Sequence, residues 1–361
     1  MSRIKSLFKK IPVIVTIYEF IFGRLHRASI AVSVECRRIK KYLTNKTHFC
    51  YGEKNKDKTF FVITCSTKEM GVYSTILYVI SFIEYALKKN YIPIIDLQRD
   101  YMPLWQNEDR KGLENPWEYY YEQPFSQYTL EEVYQSKHVI VLIDGVFKVK
   151  RPNWNIMFPI DDKAELMRWN KIIASYVRIN KKLRERVEAE RKRVFREREN
   201  QKVLGVGIRA GLRAGMMRNE ALFDKHPKQP TCEEWISIVE NKMIEWECDC
   251  LYLSCDDREY LNKFIEHFKD QCCYVERNLM HYFKDDKPIM DANERKIECV
   301  EETEQEKTEI YITEVILLSE CDSLCSCIGS GAQFAYLLNG GKYEHIEVYN
   351  KGIYEGVGKN G

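Results

Sequence analysis

The chain has 361 residues and a mass of 43.0 kDa, with 56 Lys/Arg against 54 Asp/Glu and a formal net charge of +2. At roughly 100–200 residues per domain, two domains of comparable size are expected. A composition that is 45% hydrophobic and 30% charged excludes wholesale disorder, collagen-like repeats and an integral membrane protein, and the near-neutral balance argues against a dedicated nucleic-acid binder.

The N-terminal segment is the basic exception. Through residue 60 there are 14 Lys/Arg against 4 Asp/Glu. The apolar stretch from Ile11 to Phe22 contains Glu19 and falls short of the ~20 residues that span a bilayer. No small-residue cleavage site follows it, which argues against a signal peptide. Two readings of residues 1–58 stay open. One is an interfacial anchor that combines acyl contact with attraction to anionic lipid; the other is an ordinary first helix docked on its own domain.

Thr59–Cys65 is a β-rich apolar run, and a turn containing Gly71 follows. Ser74–Lys89 has helical character, and Tyr91–Leu97 and Val139–Ile143 read as further strands. Continuous apolar strands alternating with helices indicate a parallel sheet covered on both faces. The aromatic segment Trp117–Phe125 reads as an ordered loop or helix beneath it. Asp162–Arg198 reads as one long helix with Leu166, Trp169, Ile173, Tyr176, Ile179, Leu183 and Val187 along a single stripe. Residues 163–198 carry 13 Lys/Arg against 5 Asp/Glu; a solvated helix closing the first domain is the commoner origin of such a run, and an RNA- or membrane-binding face the rarer one.

A second α/β unit begins near residue 200. Lys202–Ile208 is its first strand. Thr231-Cys232-Glu233-Glu234 is a capping box opening a helix to about Trp246. Strand Cys250–Ser254, a helix around Tyr260–Phe268, a polar loop over 285–309, a helix Ile310–Ser319, a strand near Leu324–Ser326, a helix Ser330–Leu338 and a strand His345–Tyr349 complete it. The division is thus 1–200 and 201–361, with a cleft between the halves where ligands of open parallel sheets bind. Ten of the 13 cysteines follow residue 231. The pairs Cys248/Cys250 and Cys325/Cys327 lack the spacing of zinc sites, so reduced thiols buried in strands are expected and no metal is assigned.

Two stretches carry phosphate chemistry. Gly205-Val206-Gly207-Ile208-Arg209-Ala210 matches G-x-G-x-x-A. It does not run into a helix, because Gly211, Gly215, His226-Pro227 and Pro230 keep the chain open, and no ribose-binding acid follows at the usual distance. The alternative is that Arg209 and Arg213 are the working groups, since a guanidinium fork binds two phosphate oxygens at once and keeps its charge. Gly329-Ser330-Gly331 lies between a strand and a helix, where unpaired amides and the helix dipole favour an anion. Together the two stretches describe a diphosphate clamp without metal.

The series VLGVGIR (203–209), HP (226–227), LYLSCDD (251–257) and EVILLSECDSLCSCIGSGAQFAYLLNGGKYEHIEVY (314–349) resembles the donor half of inverting fucosyltransferases. It is most similar to nodulation-type and core α1,6-fucosyltransferases and their bacterial envelope-polysaccharide relatives. The resemblance implies a GT-B fold: two Rossmann-like, parallel-sheet α/β domains facing a cleft, with GDP-fucose as donor substrate and no metal or other cofactor. It implies that Arg209 and Ser330 meet the donor phosphates, that Glu314 meets guanine, and that Asp256 and Asp257 lie near the donor sugar. Glu220, near the His226-Pro227 element, would be the base that takes the acceptor proton. The family's histidine two residues before the arginine is here Gly207, and its Arg-Gly/Thr-Asp continuation is here Ala210-Gly211-Leu212-Arg213.

The function implied is fucosyl transfer, with inversion, to a glycan of cell-envelope polysaccharide. The partners expected are a nucleotide sugar and an oligosaccharide or lipid-linked acceptor, at the cytoplasmic membrane face if the basic segment is an anchor, and no nucleic acid. A catalytically inactive nucleotide- or sugar-binding relative and an NAD(P)-dependent oxidoreductase are the competing readings.

Overall fold

A computed structural model of the protein describes residues 47–65, 71–98, 108–110, 112–143, 147, 149, 160–196, 198, 200–210, 227–277, 283–284, 287–288 and 303–352. The expected α/β architecture is present, built on two sheets. The first has the order β1-β4-β2-β3, from β1 (His48–Phe49), β2 (Lys54–Ile63), β3 (Ile92–Ile95) and β4 (Ser136–Val141). Its pairs β2/β3 and β2/β4 are parallel and only the short β1 runs antiparallel. The second sheet is parallel throughout, with the order β11-β10-β5-β6-β7. Its strands are β5 (Val203–Ile208), β6 (Cys250–Cys255), β7 (Cys272–Tyr274), β10 (Ser323–Cys327) and β11 (His345–Tyr349). Between β7 and β10 a two-residue ribbon pairs β8 (Phe283–Lys284) with β9 (Lys287–Pro288).

The side-chain alternation of each strand divides the core into layers. Phe60 and Val62 of β2 belong to an outer cluster with Ile94, Val139 and Val133, while Phe61 and Ile63 face inward. In the second sheet Leu204, Val206 and Ile208 face outward onto Trp235, Val239 and Phe264. Those three residues come from α5 (Cys232–Glu245) and α6 (Arg258–Phe268). The inward faces of both sheets meet in one continuous cluster that runs from Phe61 through Trp117, Trp169 and Tyr252 to Leu337. Its helices are α1 (Val72–Lys88), α3 (Lys163–Tyr176), α4 (Lys181–Phe195), α7 (Glu304–Leu318) and α8 (Ser330–Asn339); the short α2 (Leu130–Val133) lies with the outer cluster. Polar contacts tie the helices of the two halves together: Asn170 donates to the carbonyls of Leu337 and Leu338 at 3.0 and 2.8 Å, and Lys182 pairs with Glu309 at 2.6 Å.

Two expectations are corrected. The helix read over Asp162–Arg198 is two helices, broken at Val177–Asn180. There the chain leaves the helix to bridge Tyr121 through Ile179 and to accept the Glu122 amide on the Arg178 carbonyl, and Asn180 then caps α4 through the Leu183 amide. The basic run that follows is largely paired in place, with Lys182 and Arg186 on Glu309, Arg191 on Glu188 and Glu320, and Arg193 on Glu190. The polar loop over 285–309 ends earlier than expected, because Thr303 and Glu306 form a capping box that starts α7 at Glu304. As the strand reading of Lys202–Ile208 expects, Gly205 and Gly207 lie inside β5, opposite Leu324 and Ser326. A Cβ at Gly205 would stand 2.9 Å from Leu318 Cδ1: this glycine lets α7 lie close on the sheet.

The capping box at Thr231 opens α5 as expected. The cysteines behave as small apolar residues: every described one except Cys50 is buried and none is in a disulfide. Burial pushes the thiols of Cys232, Cys272 and Cys325 up to about 12. The apolar stretch Ile11–Phe22 lies outside the described residues, among which no helix is long and apolar enough to cross a membrane.

Candidate active site

The second sheet grows outward in both directions from β5, toward β6 and β7 on one side and β10 and β11 on the other. Its topological switch point therefore lies between β5 and β10. The carboxyl edge of that point is where open α/β sheets bind ligands. Arg209 follows β5 there, Asp256 follows β6, and Gly329-Ser330 follow β10 at the start of α8.

The helices show which element is prepared for an anion. Of the eight α-helices among the described residues, six begin with a side chain that accepts a first-turn amide: Thr129, Asp162, Asn180, Thr231, Asp257 and Thr303. The other two, α1 and α8, begin at Gly71 and Gly329, have no side-chain cap and carry no acid in the first turn. A Cβ at either glycine would meet nothing within 4 Å. These two N-termini face one another, with the hydroxyls of Ser74 and Ser330 2.7 Å apart. Helix amides without a side-chain cap, at the positive end of the dipole, are an anion-binding arrangement. Here two are brought together from the two halves of the molecule.

Arg209 completes the constellation. Its guanidinium lies 4.9 Å from the ring centre of Tyr311 on α7, and its Nε is 3.5 Å from Asp256. The Arg209 side chain keeps 41% of its surface exposed, against 12% for Asp256. Burial raises the phenol of Tyr311 while the neighbouring guanidinium pulls it back down. Tyr311 stands edge-on to Tyr73 of α1 at 5.1 Å. Tyr73 in turn packs on Phe334 of α8 at 4.8 Å and donates to the Ile312 carbonyl at 3.3 Å. These rings hold the two helix starts in register.

The structure brings Arg209, Asp256, Gly329, Ser330 and Gly331 to this edge, and two further candidates have partners inside the fold. Asp257 is fully buried and caps α6 through the Tyr260 amide at 3.0 Å. Glu314 is 3% exposed within α7 and forms a buried ion pair with Arg277 at 3.1 Å. Gly207 lies beneath the start of α8. A Cβ there would sit 3.4 Å from Ser326 Cβ and 4.0 Å from Ala332 Cβ, and the Ser326 hydroxyl is buried without a hydrogen-bond partner. Arg213, Glu220 and His226 lie outside the described residues. Ser74, Tyr73 and Tyr311 were missed from sequence. The available signal was Gly71, a glycine between strand and helix with no Ser, Thr, Asn or Asp cap, which mirrors Gly329.

A cavity of about 750 Å³ lies at the opposite pole, against Ile316, Phe334, Leu338, Arg178 and Arg184. Its guanidinium groups are engaged by the fold: Arg178 and Arg184 share Glu122 at 3.2 Å each. Among the described residues no cluster of three or more His, Cys, Asp or Glu is arranged to hold a metal ion.

No protein-family profile matches the chain, and no curated protein does. Several solved structures are similar to it. The fucosyltransferase NodZ from Bradyrhizobium is 12% identical over 77% of this chain and 92% of its own, with a TM-score of 0.43. FUT1 from Arabidopsis thaliana, solved in complex with GDP, is 11% identical over 82% of this chain and 71% of its own, also at 0.43. POFUT1 in its apo form is 7% identical over 82% of this chain and 99% of its own, again at 0.43.

Proposed function

We propose that the protein is a glycosyltransferase that takes a sugar from a nucleoside diphosphate, with the diphosphate held between Arg209 and the facing helix starts at Ser74 and Ser330. The observation that carries this reading is the convergence of α1 and α8, the only two helices among the described residues that begin on glycine without a side-chain cap. Departure of the sugar through an oxocarbenium-like state builds negative charge on the diphosphate. Fixed donors aimed at that charge stabilise the transition state more than the ground state, and each is typically worth about 10²–10³ in rate. Arg209 and the first-turn amides are such donors, and they make the reaction metal-independent. Asp256 holds the guanidinium near its working position and gives way as phosphate oxygens arrive.

The donor implied by the sequence resemblance is GDP-fucose and the outcome is inversion, with Glu220 taking the proton from the acceptor hydroxyl. General-base assistance of that kind supplies ~10²–10⁴ in rate. The acceptor is a glycan of envelope polysaccharide, reached at the cytoplasmic membrane face through the basic N-terminal segment. Removal of residues 1–30 then releases the protein from membranes, and unchanged partitioning rejects that placement.

The test of the function is hydrolysis and transfer across a panel of GDP- and UDP-sugars, with and without EDTA. Turnover of GDP-fucose that persists in EDTA is the expected result. Binding of GDP with no turnover of any donor would support the second reading, a nucleotide-binding relative without activity. That reading draws on Gly207 in place of the family's histidine and on the engagement of Glu314 by Arg277. Binding of NAD(P) and not GDP would overturn both.

A further inference from the structure

We infer that Tyr311 is a positioning residue whose ring sets the distance between the Arg209 guanidinium and the first turn of α8. The inference rests on the reading of Arg209 and Ser330 as diphosphate ligands and adds a residue that the sequence pattern does not mark.

Three observations carry it. The Arg209 guanidinium lies over the face of Tyr311 at 4.9 Å, where the ring quadrupole attracts a cation. The hydroxyl end of the same ring reaches the backbone of Gly331, so closely that a Cβ at that position would be driven into it. The other edge of the ring is braced by Tyr73 of α1 at 5.1 Å. Tyr311 therefore touches the arginine, the helix that begins at Ser330 and the helix that carries Ser74. The Arg209 side chain is long and 41% exposed, and its Nε lies 3.5 Å from Asp256, the spacing of a weak, solvent-screened pair. The ring adds a flat surface against which the guanidinium is placed. Gly331 belongs to the same device, because only a residue without a side chain lets the phenol end approach the α8 backbone.

A tyrosine that merely fills the core would affect stability and leave the arginine where it is, and the experiment separates these roles. The Nε–Hε resonance of Arg209, identified by its loss in Arg209→Ala, is followed in Tyr311→Leu, Tyr311→Phe and Gly331→Ala. The ring current should hold it upfield in the unsubstituted protein and in Tyr311→Phe. It should return to the ordinary arginine position in Tyr311→Leu and shift in Gly331→Ala, which pushes the ring aside without removing it. A resonance unmoved in both Tyr311→Leu and Gly331→Ala overturns the inference.

Titration with inorganic pyrophosphate is the second arm. About tenfold weaker binding is expected for Tyr311→Leu, with near-complete rescue in Tyr311→Phe. Pyrophosphate binding that is lost in Arg209→Ala yet unchanged in Tyr311→Leu leaves the diphosphate reading standing and overturns the role of Tyr311. If pyrophosphate does not bind the unsubstituted protein, the diphosphate reading fails, and the resonance still decides whether Tyr311 positions the arginine.

Discussion

Two arginines follow strands of the same parallel sheet and have opposite surroundings. Arg277, beyond β7, is 11% exposed. It gives Nη1 to Glu314 at 3.1 Å and Nη2 to the Cys255 carbonyl at 3.0 Å. Arg209, beyond the central β5, is 41% exposed, and its ion pair with Asp256 is 3.5 Å long. The first guanidinium is committed to the protein; the second has a stacking surface and a distant counter-ion, and keeps its face toward solvent. The helix N-termini repeat the contrast. Thr231 and Thr303 close capping boxes at α5 and α7, whereas Gly71 and Gly329 leave the first turns of α1 and α8 without a side-chain cap. The candidate site lies where an exposed guanidinium and two helix starts without side-chain caps come together.

Substitutions at these positions test the contrast. Glu314→Ala removes one partner of the buried pair and strands the Arg277 charge, a change that typically costs about 3–5 kcal/mol. Urea unfolding should show that loss. A loss below about 1 kcal/mol would mean that the pair is not the structural member of the comparison. Arg209→Ala should lower donor turnover about 10²–10³-fold, equivalent to about 3–4 kcal/mol of transition-state stabilisation, while the melting temperature stays unchanged. Activity within threefold of the unsubstituted protein would remove Arg209 from the reaction.

Ser330→Asp places a carboxylate in the first turn of α8. Negative charge there stabilises the helix by ~0.3–1 kcal/mol and should weaken GDP binding roughly tenfold through repulsion. Calorimetry and thermal unfolding must therefore move in opposite directions; a parallel fall in both would point to a structural role for Ser330. The smallest effect is expected from Gly329→Ser. Its Cβ meets nothing and its extended backbone suits any residue. The new hydroxyl can cap α8 for a few tenths of a kcal/mol, while occupying an amide that the ligand needs.

The alternation of strands and helices was legible because the strands are continuous apolar runs, and the β10–α8 turn was legible because Gly329-Ser330-Gly331 punctuates it. The break at Val177–Asn180 was not, since Leu166, Trp169, Ile173, Leu183 and Val187 keep a helical spacing across it. What ends α3 is a long-range bridge to Tyr121 that no local pattern reports. The first turns of α7 read as loop because Glu304-Gln305-Glu306-Lys307-Thr308-Glu309 contains no apolar residue, so no stripe marks the helix there, although Thr308 and Glu309 are buried. The capping box at Thr303 and Glu306 was the signal for its start. In the candidate site, Arg209 and Ser330 were legible from their flanking glycines. Tyr311 and Ser74 were not, because their roles exist only once α1, α7 and α8 are brought together. Glu314 illustrates the converse: its place in a family-like motif suggested an open carboxylate, and its partner Arg277, 37 residues earlier in the chain, engages it.

The most direct test of the central claim is a crystal structure of the protein with bound GDP. The account predicts both Arg209 and a first-turn amide of α8 within hydrogen-bond reach of the β-phosphate, roughly 2.7–3.2 Å, with Asp256 displaced from the guanidinium. A nucleotide bound elsewhere, with Arg209 still resting against Asp256, would contradict it.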